Sequence, residues 1–158
     1  ASGSRRSSVG EGANCGDKSR MDNFTILQVI PPDESAGVVD SSVYTNGVAI
    51  ATLRYCARAA SRLNKTTPAL WKTIADNMWL PMNYTIYSGG PVHAEFDGYS
   101  GAQINQADVA LLQYPLQFPM DDDLARRDLD YYTTVTRQDG FFTGDSAYSI
   151  AYLQLGER

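Results

Sequence analysis

Histidine and cysteine are scarce in this sequence, which contains one histidine, His93, and two cysteines, Cys15 and Cys56. One histidine cannot build a multi-histidine metal centre, and no set of cysteines and histidines has the spacing of a zinc site. The sequence also lacks a glycine-rich phosphate loop and a serine nucleophile elbow. It therefore predicts neither a bound metal nor a cofactor.

Positive charge is limited too, because 13 Lys and Arg residues stand against 18 Asp and Glu residues, for a formal net charge of -5. This excess of negative charge repels phosphate backbones, which excludes nucleic acid as an expected partner. No stretch approaches the roughly 20 apolar residues that cross a bilayer, and none has the pattern of a signal peptide. The 158 residues, 43% of them hydrophobic, fit one domain with a real core and no membrane partner.

Three acceptor sequences for N-glycosylation begin at Asn23, Asn64 and Asn83. They favour a secreted glycoprotein, located outside the cell, in the cell wall or in the vacuole. A disulfide between Cys15 and Cys56 would agree with an oxidising compartment. Two alternatives stay open: Cys56 lies on a helical pattern and can be a buried free thiol, and Cys15 can pair with a cysteine outside this chain.

The apolar spacing predicts five helices and almost no strand. The predicted helices cover about 43–63, 67–79, 104–114, 124–135 and 148–155. Asp40, Ser41 and Ser42 are the candidate caps of the first helix. The acidic run over 121–123 lacks the alternating ligands of a calcium loop, and it suits the positive end of a helix dipole.

Two segments lack helical periodicity. Residues 1–22 are dense in serine, glycine and charge, which predicts a flexible, cleaved surface segment before one unit over residues 23–158. Between Leu80 and Gln103, prolines and glycines are interspersed with aromatic residues, in a long loop typical of a functional site. Basic residues near both ends indicate a larger precursor that is cut into associated pieces.

Two glutamates are the candidates for carboxyl chemistry. Glu34 lies in a proline-stiffened loop before the first helix, where a carboxyl can pack against apolar neighbours and keep its proton. Glu95 lies in the aromatic loop, within HAEFDGY. A glycosidase that inverts the anomeric centre needs one carboxylic acid and one carboxylate base, roughly 6.5 to 9.5 Å apart. By composition alone, each glutamate is expected to be a solvated surface charge. A catalytic role for either one therefore depends on the surrounding sequence pattern.

That pattern consists of paired motifs. Residues 29–34, VIPPDE, are followed by VDSSVYTN at 39–46, and residues 95–99, EFDGY, are followed by INQADV at 104–109. The first pair resembles the proline–aspartate–glutamate segment and the following helix start of glycoside hydrolase family 65. The second pair is similar to that family's lysine–glutamine–alanine–aspartate–valine motif and the glutamate before it. With RRDLDYY at 126–132 in the family's order, the resemblance covers residues 23–158.

The resemblance implies an all-α fold in which this chain is the second half of an (α/α)6 catalytic barrel, completed by another chain or fragment. By motif position, Glu34 would be the general acid and Glu95 the general base. Gln106 would bind hydroxyl groups of the glucose. Asn105 stands where the family has lysine; it can still donate hydrogen bonds but carries no charge, so the charge-assisted contact is either weakened or supplied by another residue. The family's upstream tryptophan–aspartate sugar site has no counterpart in this chain.

The activity implied by the resemblance is that of a secreted acid trehalase, which splits α,α-trehalose into two glucose molecules. Kojibiose- or nigerose-type α-glucosidases and disaccharide phosphorylases of the same family are the alternatives. The implied partners are a small disaccharide and the companion chain, with a homodimer of the whole enzyme left open. A noncatalytic helical interaction module is the alternative of a different class; it would show an exposed apolar helix face, with Glu34 and Glu95 far apart.

Hydrolysis and phosphorolysis differ in the group that attacks the sugar. A phosphorylase must hold a phosphate dianion, which a carboxylate would repel, so Glu95 favours hydrolysis. His93 is the candidate phosphate ligand, with a hydrogen-bonded structural role as its alternative. Tyr84, Tyr87 and Tyr99 could stack on sugar faces or pack the loop.

Overall fold

A computed structural model describes residues 23–139 and 143–156, and within these ranges the regular structure consists mainly of five α-helices and one short β-ribbon. The elements are α1 (Val43–Arg62), α2 (Ala69–Asn77), β1 (Met82–Asn83), β2 (Val92–His93), α3 (Asp108–Gln113), α4 (Asp122–Val135) and α5 (Thr143–Gln154), with a 3-10 turn at Glu34–Ala36. The mostly helical composition agrees with the predicted all-α class. The predicted flexible segment 1–22 lies outside the described residues. No helix within the described ranges is long and apolar enough to cross a membrane.

α1 begins where the sequence predicts it. Ser42 is its N-cap, because the Ser42 Oγ accepts the backbone N–H of Thr45 at 3.3 Å. α1 packs against α2 and α3, and its buried residues lie near its start: Val43, Asn46, Gly47 and Ile50. Cys56, further along α1, is half-buried and has no disulfide partner among the described residues, and Cys15 lies outside them.

α1 and α3 approach each other closely at Gly47. An ideal Cβ at this position would lie 2.6 Å from the Leu112 Cδ2 on α3. Leu112 is fully buried, so its side chain has little room to move away. The close approach of two helices therefore requires glycine here.

Asn46 connects α1 to the segment that precedes it. Its Nδ2 donates to the Trp79 carbonyl at 2.8 Å and to the Thr25 Oγ1 at 2.9 Å. Its Oδ1 accepts the backbone N–H of Ile26 at 3.2 Å. One buried amide thereby holds the entry segment, α1 and the end of α2 together.

The prediction of a helix over 104–114 is wrong in its first turn. Ile104 instead forms a bridge with Thr136, in which the Ile104 N–H donates to the Val135 carbonyl at 3.1 Å. The backbone becomes helical only at Asp108. An apolar side chain is buried equally well by a bridge and by a helix, so its spacing cannot distinguish the two.

The aromatic loop over 80–103 contains the β-ribbon. β1 and β2 pair antiparallel, with Met82 opposite His93 and Asn83 opposite Val92. The sequence predicts no strand here, because strands of two residues are too short to show alternation. The ribbon leads directly into the buried Glu95.

Tyrosine rings fill much of the core between the ribbon, α3 and α4. Tyr132 on α4 is fully buried, and its ring centroid lies 4.8 Å from that of Tyr131 and 6.1 Å from that of Tyr99. The Tyr132 hydroxyl donates to the His93 carbonyl at 2.8 Å. This contact fixes the ribbon, and with it the start of the Glu95 segment, against α4.

The acidic run at the start of α4 is a helix start, as predicted. Asp121 is the N-cap, and its Oδ1 accepts the backbone N–H groups of Asp123 at 3.0 Å and Leu124 at 3.2 Å. The two acids that follow lie in the first turn, where the helix dipole favours negative charge.

Candidate active site

The loop that carries Glu34 turns the neighbouring Asp33 into the protein. Asp33 is buried, and its Oδ1 accepts the Ser35 N–H at 3.1 Å and the Ser35 Oγ at 2.6 Å, which caps the 3-10 turn. Glu34 is exposed. The expectation that Glu34 packs against apolar neighbours is therefore wrong within the described part of the chain, because the turn buries Asp33 in its place.

Glu95 is enclosed, with 3% of its surface exposed. Its Oε2 accepts the backbone N–H of Asp108 at 3.1 Å, and its carbonyl accepts the Val43 N–H at the start of α1. Its Oε1 is buried without a hydrogen-bond partner among the described residues. Burial, and after it the charge of Asp108, raise the pKa of Glu95 well above its ordinary value.

Asp108 joins Glu95 to the loop of Glu34. Its Oδ1 and Oδ2 accept the backbone N–H of Asp33 at 3.0 and 3.2 Å, and its Oδ1 also accepts the Gln106 Nε2 at 3.4 Å. Asp108 is fully buried. Burial raises the pKa of Asp108 to about 7, although the hydrogen bonds from Asp33 and Gln106 favour the charged form.

Asp33 in turn holds the backbone of the predicted glucose-binding residues. Its Oδ2 accepts the N–H of Asn105 at 2.9 Å and that of Gln106 at 3.2 Å. The side chains of Asn105 and Gln106 are half-buried. The two segments are therefore bonded in both directions, through the Asp33 carboxylate and through the Asp108 carboxylate.

We call Asp33, Glu95 and Asp108 the carboxyl network. It brings together the segments that carry the four predicted site residues: Glu34, Glu95, Asn105 and Gln106. Asp33 and Asp108 themselves received no role from the sequence, although each lies within a motif that carries the family resemblance. Their position inside those motifs was the available signal. A sequence does not show that such a carboxylate accepts main-chain N–H groups more than 70 positions away.

His93 belongs to a buried pair with Asp128. The His93 Nδ1 lies 2.7 Å from the Asp128 Oδ2, and the His93 N–H donates to the Asp128 Oδ1 at 2.8 Å. Both side chains are buried. This arrangement matches the structural alternative for His93, and its ring is not exposed for a phosphate to contact.

The three tyrosines of the aromatic loop have different surroundings. Tyr99 is buried, and its hydroxyl donates to the Ala102 carbonyl at 2.6 Å. Tyr87 contacts Tyr131, with ring centroids 5.7 Å apart, whereas Tyr84 is exposed. An open cleft of about 830 Å³ lies beside this loop, and its lining includes Ile86, Tyr87, Ser100, Tyr131 and Thr134. Loop packing thus accounts for Tyr87 and Tyr99, and Tyr84 remains accessible to a ligand.

The predicted glycosylation sites differ in exposure and in the hydrogen bonding of their side-chain amides. Asn64 is exposed just beyond α1, and Asn23 is half-buried. The Asn83 Nδ2 donates to the Tyr99 carbonyl at 3.1 Å, and the Asn83 Oδ1 accepts the Thr85 N–H at 2.9 Å. The amide nitrogen that would carry a glycan is therefore engaged at Asn83.

Comparison with known proteins finds relatives over most of this chain. The protein-glucosylgalactosylhydroxylysine glucosidase of Danio rerio is 38% identical over 135 residues, which cover 85% of this chain and 20% of that protein. The kojibiose hydrolase of Flavobacterium johnsoniae is 34% identical over 140 residues, covering 88% of this chain and 20% of the hydrolase. The cell wall acid trehalase of Candida albicans is 31% identical over 115 residues, covering 72% of this chain and 10% of the trehalase.

These relatives are all named as glycoside hydrolases, and the chain spans about a fifth of the length of the first two. No protein-family model matches the chain. Over most of its length, this chain is homologous to one segment of glucosidases of the glycoside hydrolase family 65 type.

Proposed function

We propose that this chain is the part of an inverting α-glucoside hydrolase that carries both catalytic carboxyls, with Glu34 as general acid and Glu95 as general base. The carboxyl network is the observation that carries the proposal: Asp33, directly before Glu34, is bonded to Asp108, and Asp108 is bonded to Glu95. The names of the relatives support it, since each describes a glycoside hydrolase.

The proposed reaction needs one proton delivered and one removed. Glu34 is exposed, so its carboxyl is accessible to the glycosidic oxygen of a bound sugar, which it would protonate as the bond to the leaving group breaks. Glu95 holds its Oε2 on the Asp108 N–H and leaves its buried Oε1 without a partner, so the proposal requires that a water reaches Oε1 in the full-length protein and gives it a proton. That water attacks the anomeric carbon from the opposite face. Glu34 ends ionised and Glu95 ends protonated.

The proposed substrate is a disaccharide, or a disaccharide unit, with a terminal α-linked glucose. The motif resemblance indicates α,α-trehalose, and one relative is a trehalase at 31% identity. The relatives at 34% and 38% identity are named for kojibiose and for glucosylgalactosylhydroxylysine, which favours these compounds over trehalose. Water is favoured over phosphate as the attacking group because Glu95 would repel a phosphate and His93 is enclosed against Asp128.

A complete active site is proposed to need protein outside this chain, with the chain as the second half of an (α/α)6 barrel. The limited share of each relative that the chain spans supports this. Apolar side chains before α1 are exposed, at 58%, 62% and 65% for Leu27, Ile30 and Val38, and the remaining protein would cover them. A noncatalytic module would also expose such side chains, but it does not predict that the Glu34 and Glu95 segments are bonded together.

An extracellular or cell wall location is part of the same proposal. Two relatives are named as cell wall acid trehalases, from Candida albicans and Arthroderma benhamiae. The three acceptor sequences for N-glycosylation support it as well.

The proposal is tested on the full-length protein that contains this chain, with kojibiose, nigerose, α,α-trehalose and glucosylgalactosylhydroxylysine as substrates. Glu34→Gln and Glu95→Gln should each lower kcat by about 10² to 10⁴-fold, the usual contribution of an acid or base, while the protein stays folded. Asp122→Asn is the control, since it removes an exposed carboxylate at the start of α4 and should leave kcat unchanged. Near-normal turnover in either glutamate variant would remove that residue from its role.

A further inference from the structure

We infer that Asp33 and Asp108 are positioning residues of the proposed glycosidase site, which fix the general acid and the glucose-binding segment relative to the general base. The inference rests on the proposed function, because it assigns these residues roles relative to Glu34 and Glu95. Neither aspartate is assigned a contact with the substrate. Each acts through another residue.

The Asp33 carboxylate is occupied by donors from two segments. Oδ1 accepts two hydrogen bonds from Ser35, which shape the turn at Glu34. Oδ2 accepts the backbone N–H groups of Asn105 and Gln106. Because Asp33 is buried and both of its oxygens are committed, it is suited to hold two segments at a set distance rather than to act on a sugar.

Asp108 connects the segment of Asp33 to Glu95. Its carboxylate accepts the N–H of Asp33, and its own N–H donates to the Glu95 Oε2. One residue therefore fixes the peptide before Glu34 and one oxygen of the base. With Oε2 held, the direction of the Glu95 Oε1 is set, and displacements of about 1 Å at such a site cost about 100-fold in rate.

A purely structural role does not explain why Asp33 and Asp108 are acidic residues. Burying three carboxyls together is unfavourable, because each loses hydration and repels the others. A neutral asparagine or serine side chain could accept main-chain N–H groups at a smaller cost. Clusters of buried carboxyls with raised pKa values, as for Glu95 and Asp108, are typical of sites where the proton affinity of a carboxyl matters to function.

The role of Asp33 is tested by comparing two substrates of the full-length protein. In Asp33→Asn, kcat for the best disaccharide should fall about 100-fold, because a displaced Glu34 no longer protonates the leaving oxygen. With α-glucosyl fluoride, whose leaving fluoride needs no proton, the loss of kcat should stay below about tenfold. The displaced Asn105–Gln106 segment should raise KM for both substrates. A merely structural role would lower both rates equally, and that result would overturn the assignment of Asp33.

The matched control for Asp33→Asn is Asp40→Asn. Asp40 is exposed on the same loop, and its Oδ1 accepts the backbone N–H of Gln28 at 2.8 Å. Removing its charge should leave the rates on both substrates unchanged. If Asp33→Asn does not fold, Ser35→Ala replaces it, since this variant removes one donor to Asp33 and keeps the backbone donor. Its loss should again be larger on the disaccharide, and equal losses would overturn the assignment.

The role of Asp108 is tested by the pH dependence of kcat/KM. Asp108→Asn keeps an acceptor for the Asp33 N–H and keeps the N–H that contacts Glu95, but it removes a negative charge. The titratable groups whose charge raises the pKa of Glu95 are the two aspartates of the network. The charge of Glu95 in turn raises the pKa of four buried or partly buried tyrosines: Tyr99, Tyr131, Tyr132 and Tyr148. Among these groups Asp108 raises the pKa of Glu95 most.

A general base must be ionised, so activity is lost as the pH falls through the pKa of Glu95. Removing the Asp108 charge should therefore move the acid limb of the profile to lower pH. An acid limb that does not move would overturn the assignment of Asp108. If the wild-type protein hydrolyses none of the α-glucosides, the proposed function fails and this inference fails with it. An active wild type with unaffected aspartate variants overturns the inference alone.

Discussion

The backbone N–H of Asp33 donates to both carboxylate oxygens of Asp108, at 3.0 and 3.2 Å, although the two residues are 75 positions apart in the chain. Glu34 follows Asp33 directly, and Glu95 accepts the N–H of Asp108. This single contact therefore connects the segments of both proposed catalytic carboxyls. It also gives a physical reason for the two motif pairs to occur in one chain.

The raised pKa of Glu95 predicts a protein that is more stable in mild acid than above neutrality. A carboxyl whose folded pKa exceeds its unfolded value stabilises the fold fully below the unfolded pKa, near 4.5 for Glu, and this stability is lost as the pH rises through the folded pKa. Asp108, with its pKa raised to about 7, acts in the same direction. The Tm of the full-length protein should therefore be higher near pH 5 than near pH 8.

The variant Glu95→Gln tests whether Glu95 causes this pH dependence of stability. A neutral glutamine cannot ionise, so the variant should lose part of the pH dependence and have a higher Tm than wild type near pH 8. Thermal unfolding followed by circular dichroism measures both. If the Tm of the variant falls with pH as steeply as that of the wild type, Glu95 does not carry this effect.

Gly47 and Gly144 predict opposite responses to the same substitution. In Gly47→Ala the new Cβ would lie 2.6 Å from the Leu112 Cδ2, so overpacking should destabilise the fold by about 1–3 kcal/mol. In Gly144→Ala, at the second residue of α5, no atom of the described residues lies within 4 Å of the new Cβ, and the smaller loss of backbone entropy should add up to about 0.5 kcal/mol of stability. Urea unfolding of the two variants compares them directly. Equal stabilities would show that α1 and α3 are not closely packed at Gly47.

Helix positions in this chain were largely predictable, and the carboxyl network was not. The start of α1 at a serine cap and that of α4 at an acidic cap follow from local rules that act within a few residues. Ile104 shows where such rules fail, since its burial comes from a bridge to a distant segment. Local rules also fail for Asp33 and Asp108. Their partners are main-chain N–H groups far along the chain, and every residue type except proline has such a group, so the sequence does not identify the partner.

Glycan occupancy should differ between Asn64 and Asn83 in protein secreted from a eukaryotic host. Asn64 is exposed, whereas the Asn83 Nδ2 donates to the Tyr99 carbonyl and its Oδ1 accepts from Thr85. A glycan on Asn83 would replace one of the two Nδ2 hydrogens and must fit beside the Tyr99 carbonyl, where loss of the remaining donor would cost about 1–3 kcal/mol. Peptide mapping by mass spectrometry after enzymatic deglycosylation should find Asn64 modified and Asn83 unmodified. Equal occupancy at Asn83 and Asn64 would contradict this prediction.

The central claim is that Glu34 and Glu95 act as an acid and base pair on a terminal α-linked glucose, with inversion. The two possible stereochemical outcomes differ in the first sugar released. Inversion turns the α-linked unit into β-glucose, whereas retention through a covalent intermediate releases α-glucose.

Proton NMR in the first minutes of the reaction, before the anomers equilibrate, is the most direct measurement. The full-length protein is incubated with kojibiose and with α,α-trehalose, and the anomeric signals are followed as each substrate disappears. The account predicts that the terminal glucose appears first as the β-anomer, so that trehalose initially yields equal amounts of β- and α-glucose. Release of α-glucose alone from trehalose, or of the α-anomer first from the terminal unit of kojibiose, would contradict it.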